Sequence, residues 1–152
     1  MVKSKPISHR TCAGGKPCPH PSTALRTGVA GLNRGHKMKI EKSDNIRKSP
    51  VETKGAKDVA IRWLISKDDG AGNFAMRMFE LASGGHTPLH THPHEHEVFV
   101  IEGQGTFVYE GHEHHFESDY VIFVPGGKEH QFKNTGKSIL RMLCIIPAEA
   151  FS

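Results

Sequence analysis

Long apolar runs are missing from this 152-residue chain. None approaches the roughly 20 residues that cross a bilayer, so a soluble protein with no membrane partner is expected. No apolar stretch follows Lys3, Lys5 and Arg10, as a secretory signal would require. Cysteine is scarce. Cys12, Cys18 and Cys144 make an odd number, which argues against a disulfide framework and suits a reducing, cytoplasmic setting. Cys12, Cys18 and His20 lack a fourth partner at any standard zinc spacing and are read as residues without a role. No segment from 59 to 147 repeats with a period of 3.6, so helices are not expected there. Phosphate loops, Ser/His/Asp sets and paired carboxylates are also absent, which sets aside kinase, hydrolase and glycosidase chemistry.

Charge is present but unevenly divided. Residues 1–57 carry 13 Lys/Arg against 3 Asp/Glu, and residues 58–152 carry 7 against 13, so nets of +10 and −6 give the chain its +4. Residues 1–37 are basic, rich in Gly and Pro, and poor in apolar residues. Such a segment cannot bury enough surface to offset its ordering entropy, so it is expected to be a disordered N-terminal extension. A basic tail can attract nucleic acid or membranes, but the composition favours a solvated extension with no nucleic-acid partner. Met38 opens a more protein-like stretch and is expected to be the true start. The anticipated organisation is a leader over 1–37, an arm over 38–57, a folded domain over 58–147 and a tail over 148–152.

Within the folded part, short β-type runs alternate with turn residues. Val59–Ile65, Phe74–Leu81, Val98–Ile101, Thr106–Tyr109, Tyr120–Val124, His130–Lys133 and Ile139–Ile146 read as strands. Between them lie turn clusters such as Gly103-Gln104-Gly105 and Pro125-Gly126-Gly127. Seven or eight strands at such spacing predict an all-β sandwich or barrel. In the last strand Leu140, Met142, Cys144 and Ile146 share one face, and Arg141 on the other marks the first as interior.

The abundant residue is histidine. Of twelve, eight lie between His86 and His115, a clustering that favours a site over scatter. His90 and His92 are two apart and would share a face of a strand. His96 follows a short bend, and His130 comes after the Pro/Gly turn. Imidazole suits Mn, Fe, Ni, Cu or Zn. Spacing alone does not bring His130 to the other three. His94 matches no ligand position and is read as a supporting or exposed residue, His86 as a loop residue, and His112, His114 and His115 as surface. Phe132 points the same way as His130 and, with Cys144, is a candidate pocket residue.

Two segments resemble the two motifs of the cupin superfamily. Gly84 is followed after five residues by His90, then His92, then after three more His96, and after six more Gly103. Pro125, Gly127, His130 and Asn134 stand in register with the second motif, with Asp119 in place of its leading glycine. His96 occupies the position that is glutamate in the family. Glu97 would fit a looser spacing but breaks the count to Gly103, and strand alternation sends it to the opposite face.

The resemblance implies a small one-domain cupin, a double-stranded β-helix or jelly-roll barrel, holding one divalent transition metal with His90, His92, His96 and His130. Four neutral ligands leave a divalent ion its full charge, a stronger Lewis acid than one with a carboxylate bound. An octahedral ion would keep two positions for a small-molecule ligand or substrate. The family's range implies a metal-dependent dioxygenase or oxidoreductase, with a non-catalytic anion- or sugar-binding module or a non-redox isomerase as alternatives. It also implies a homodimer, with Val59–Ile65 pairing across a two-fold.

Overall fold

The computed structural model describes residues 38–151. The leader over 1–37, with Cys12, Cys18 and His20, lies outside the described residues. Nine antiparallel strands make up most of the described chain: β1 Lys48–Pro50, β2 Lys57–Ile65, β3 Phe74–His86, β4 His96–Glu102, β5 Gln104–Tyr109, β6 His112–Glu117, β7 Val121–Val124, β8 His130–Asn134 and β9 Leu140–Pro147. They join in one curled sheet in the order β6-β5-β8-β3-β9-β4-β7, with β2 also on β3 and β1 on β2. Among the described residues the only helical pieces are 3-10 turns, at Ser43–Asn45, Lys67–Asp69 and Ala148–Phe151. No helix among the described residues is long and apolar enough to cross a membrane.

The 13 residues of β3 serve both halves of the curl. Phe74 to Leu81 pair with β9, while His86 reaches Lys133 of β8. The interior is filled by alternate residues. Leu140, Met142, Cys144 and Ile146 of β9 are all buried, as the sequence pattern requires. They meet Val59, Leu81, Val100, Phe107, Phe132 and their neighbours in one core. The β5–β6 hairpin turns at Glu110 and Gly111, both at positive φ, which is the mirror-image turn that matches the twist of paired strands. Asp119, standing where the second motif has glycine, sits at φ 70. The motif's glycine therefore marks a left-handed backbone position, and aspartate is among the few other residues that tolerate one.

Two strands are additions to the expected set. β6 had read as a turn region, and β1 lay in the arm. β1 matters for the expected dimer, because it pairs with Ala60, Ile61 and Arg62 of β2. The free edge that Val59–Ile65 was to offer a second copy is already taken there. Exposed apolar side chains gather instead on β4 and β7, at Phe99, Ile101, Val121 and Phe123.

On the outer side of β3, Glu80 is 4% exposed and ringed by cations. Lys48 Nζ lies 3.0 Å and Arg62 Nε 3.1 Å from its carboxylate, and Arg141 Nε stands at 3.8 Å. This cluster ties β1, β2 and β9 to β3.

Candidate metal centre

Backbone bonds between the two motif segments build the site. His90 N donates to His130 O at 3.2 Å, and His130 N donates to His90 O at 2.9 Å. Gly127 N donates to His92 O at 2.7 Å. The segment between β3 and β4 is therefore docked along the start of β8 and the turn before it. His90 is a single bridge residue, and residues 91–95 are not strand. The expected strand alternation does not explain why His90 and His92 face one point. The docked loop does. His96 opens β4 and points inward, while Glu97 is exposed on the other face, paired with Phe123 and Ile145.

One nitrogen from each of His90, His92, His96 and His130 falls in a group spanning at most 4.8 Å. Ring centroids are 4.3 Å apart for His92–His96 and 4.6 Å for His90–His130. Two nitrogens on opposite sides of an ion, each about 2.1 Å from it, stand about 4.2 Å apart, so the group has the span of a coordination shell. His96 and His130 are buried, and His90 and His92 half-buried.

Three of the rings are oriented by backbone carbonyls. His90 Nδ1 lies 2.8 Å from Pro88 O, His92 Nδ1 2.7 Å from His94 O, and His130 Nδ1 2.8 Å from Lys128 O. A carbonyl only accepts, so each Nδ1 carries the proton and each Nε2 keeps its lone pair. This is the outer-shell arrangement that ligating histidines need.

The fourth ring differs. Arg77 Nη2 donates to His96 Nδ1 at 3.1 Å and to Cys144 Sγ at 3.0 Å. The proton of His96 then sits on Nε2, which contacts His92 Nε2. Binding a cation through that Nε2 needs the proton moved to Nδ1, where Cys144 Sγ at 3.3 Å can accept it. The donor set fits a divalent transition metal, with His96 as the member that must rearrange.

Burial pushes four imidazoles in and beside the group, those of His92, His94, His96 and His130, toward the neutral form that binds metal. It lowers His92, His94 and His130, and it drives His96 down to about 2, with the Arg77 cation as the next cause. Burial also raises the Cys144 thiol, against the pull of Arg77.

The remaining sequence candidates fall into place around this group. Phe132 and Cys144 line the same cavity as His90, His96 and His130. His94 is half-buried and stacked on His92 at 3.8 Å with 6° between the ring planes. His86 is the last residue of β3 rather than a loop residue, and its Nδ1 contacts Thr87 O and Gln131. His112, His114 and His115 are exposed on β6. Sequence reasoning missed Arg77. It shares an inward parity with Ala75, Phe79 and Leu81, and a charge at an inward strand position was the available signal.

Comparison with known proteins gives concordant results. The model of the cupin domain family matches residues 77–146. In solved structures the chain is similar to the polyketide cyclase RemF of Streptomyces resistomycificus, with 32% identity, a TM-score of 0.70, and 74% of this chain and 80% of that one covered. A cupin-2 domain protein of Rhodospirillum rubrum shares the fold, at 23% identity and a TM-score of 0.63 over 74% and 76% of the two chains. The 1-methylthio-D-xylulose 5-phosphate methylsulfurylase of Rhodospirillum rubrum is 33% identical over 75 residues, 49% of this chain. The chain spans about half of that relative's length, 47%.

Proposed function

The chain belongs to the cupin superfamily, and on that premise we propose that it is a metal-dependent enzyme of the dioxygenase or oxidoreductase type, acting on a small molecule at a mononuclear four-histidine centre. His90, His92, His96 and His130 are the proposed ligands. The observation that carries the reading is the set of three Nδ1–carbonyl bonds that turn three Nε2 lone pairs toward one point, where His96 joins them. A redox-active ion bound there supplies electrons for dioxygen chemistry, and a non-redox ion supplies polarisation of a bound oxygen atom.

The chain's own residues do the rest. Backbone carbonyls hold the rings. Arg77 and Cys144 orient His96 from behind. The apolar cavity beside His96 and His130 shelters the ligand from water. Burial favours the neutral form of His92, His96 and His130, so these three compete poorly for protons and well for a cation.

A second reading, a non-redox Lewis-acid reaction such as a cyclisation or isomerisation, is favoured by the 32% identity to a polyketide cyclase over most of that chain. The phosphosugar enzyme matches a shorter stretch and supports the barrel more than its substrate.

The test loads the protein separately with Fe, Mn, Ni, Cu and Zn and measures metal per chain, then follows oxygen consumption with candidate substrates. Uptake with Fe or Mn that depends on substrate supports the oxygenase. Turnover with Zn and no oxygen uptake supports the Lewis-acid reading. Ligand binding without turnover under any metal leaves a non-catalytic binding module.

A further inference from the structure

The cavity that reaches the histidine group encloses about 590 Å³, within the ~300–1,000 Å³ typical of small-molecule pockets. Its walls include Val59, Ile61, Trp63, Phe79, Phe132 and Met142. Three of these are aromatic, and they come from β2, β3 and β8. The charged lining is sparse. Glu52 and Lys54 are exposed, on the segment between β1 and β2. Inside, the cation is Arg77, with one nitrogen already committed and its buried Nε without a partner among the described residues. Its Nη2 donates to Cys144 and His96, and its guanidinium carbon lies 5.5 Å from the Trp63 ring centre and 5.1 Å from that of Phe79.

A phosphate dianion needs a group of convergent donors, commonly a helix N-terminus or a free arginine fork. The described residues contain no α-helix, and the fork of Arg77 is not free as a whole, since its Nη2 is taken by protein acceptors. A polyol needs a hydrogen-bond partner for each hydroxyl, because a buried hydroxyl without one is costly. Besides the imidazoles, Arg77 and the exposed Glu52 and Lys54, the cavity offers Thr53 and Thr87. Rings, by contrast, gain from stacking and from the area they bury.

We infer that this cavity takes an aromatic or otherwise unsaturated ring compound with at most one negative charge, its oxygen atoms toward the imidazoles and its ring among Trp63, Phe79 and Phe132. The inference rests on the metal reading only for the direction in which the oxygens point.

The test uses alizarin, a planar compound with adjacent phenol and ketone oxygens, and ribose 5-phosphate as the phosphosugar. Both are measured by equilibrium dialysis against the Zn-loaded and the metal-free full-length protein. Alizarin is expected to bind the Zn-loaded protein at least about tenfold more tightly than ribose 5-phosphate. Trp63→Leu, which keeps the wall apolar and removes the ring, is expected to weaken alizarin about tenfold while Zn per chain is unchanged. Phe79→Leu serves the same purpose if the first variant folds poorly. Tighter binding of ribose 5-phosphate, or alizarin binding unmoved by either substitution, overturns the assignment. If the protein takes up no metal, the metal reading fails by itself. Alizarin binding to the metal-free protein that weakens in Trp63→Leu still supports the ring pocket, and no alizarin binding in either form overturns it.

Discussion

Two groups of histidines on this barrel share a residue type and little else. His112, His114 and His115 crowd into four residues of β6 and are all exposed. β6 is an edge strand paired only with β5, so its side chains have water on most sides. His90, His92, His96 and His130 are spread over 41 positions, yet their nitrogens fall within 4.8 Å. The difference lies in what holds each ring from behind. In the convergent group, Pro88, His94 and Lys128 carbonyls or the Arg77 guanidinium fix every Nδ1. On β6 the one such contact is Thr106 Oγ1 to His115 Nδ1 at 3.1 Å. Density of histidine along a chain does not make a site. Convergence of distant segments with oriented rings does.

The strongest way to break this contrast is His92→Ala. It removes one of four converging imidazoles and should weaken divalent-metal affinity by about two orders of magnitude or more, since even outer-shell losses cost about 10–100-fold. Metal per chain after dialysis reads this directly. Wild-type stoichiometry in the variant would end the ligand assignment.

A second substitution separates loss of the site from loss of the barrel. Glu80→Ala leaves Lys48, Arg62 and Arg141 facing one another at the junction of four strands and should cost about 3 kcal/mol of stability, measured by chemical denaturation, with metal stoichiometry unchanged below the transition. The same carboxylate predicts a pH dependence. Burial alone would raise its pKa, but Lys48 and Arg62 outweigh that and hold it below the usual glutamate value. A depressed folded-state pKa contributes stability above the unfolded value, about 4.3, and loses it as pH falls through the folded value. Glu80→Gln should flatten that acid limb. An unchanged acid limb would mean the cluster contributes little.

A third substitution acts on the docking of the loop. Gly126 sits against the 93–94 backbone, where an added Cβ would collide with the Pro93 carbonyl oxygen. Gly126→Ala should displace the segment carrying His92 and His94 and weaken metal binding by about tenfold, the lower end of the outer-shell range, with little change in the far end of the barrel. Isothermal titration of the metal-free protein measures it. An unchanged affinity would show that the ring positions tolerate movement of the loop.

Much of the barrel was legible in the sequence because it rests on period-two burial. Leu140 to Ile146 alternates cleanly, and the structure buries the expected four residues. β6 was not legible, since His112-Glu113-His114-His115 has no apolar partner until Phe116, and an edge strand needs none. The four histidines could be named, but the physical reason given for His90 and His92 was incorrect. Their common direction comes from a loop pinned by Gly127 and His130 backbone bonds, which are tertiary and leave no periodic trace. Arg77 was missed for a related reason. Its strand also carries Glu80, three residues on and therefore on the opposite face, and only the curl of the sheet decides which charge lies inside.

The smallest expected effect completes the contrast. His115→Ala removes a side chain that is exposed and engaged only through Thr106 Oγ1 among the contacts described. Thr106 is 2% exposed, so its hydroxyl loses a partner, and a neutral hydrogen bond of this kind contributes about 1 kcal/mol. Water can reach the gap left at an edge strand and take the vacated place, which should bring the net cost to about half of that or less. Metal affinity should stay within about twofold, because no atom of β6 supports any of the four converging rings. Both quantities are measurable on one preparation, by denaturation and by titration of the metal-free protein. A large loss of metal here, matching that of His92→Ala, would mean that β6 feeds the centre after all and that backbone-held orientation is not what separates the two groups.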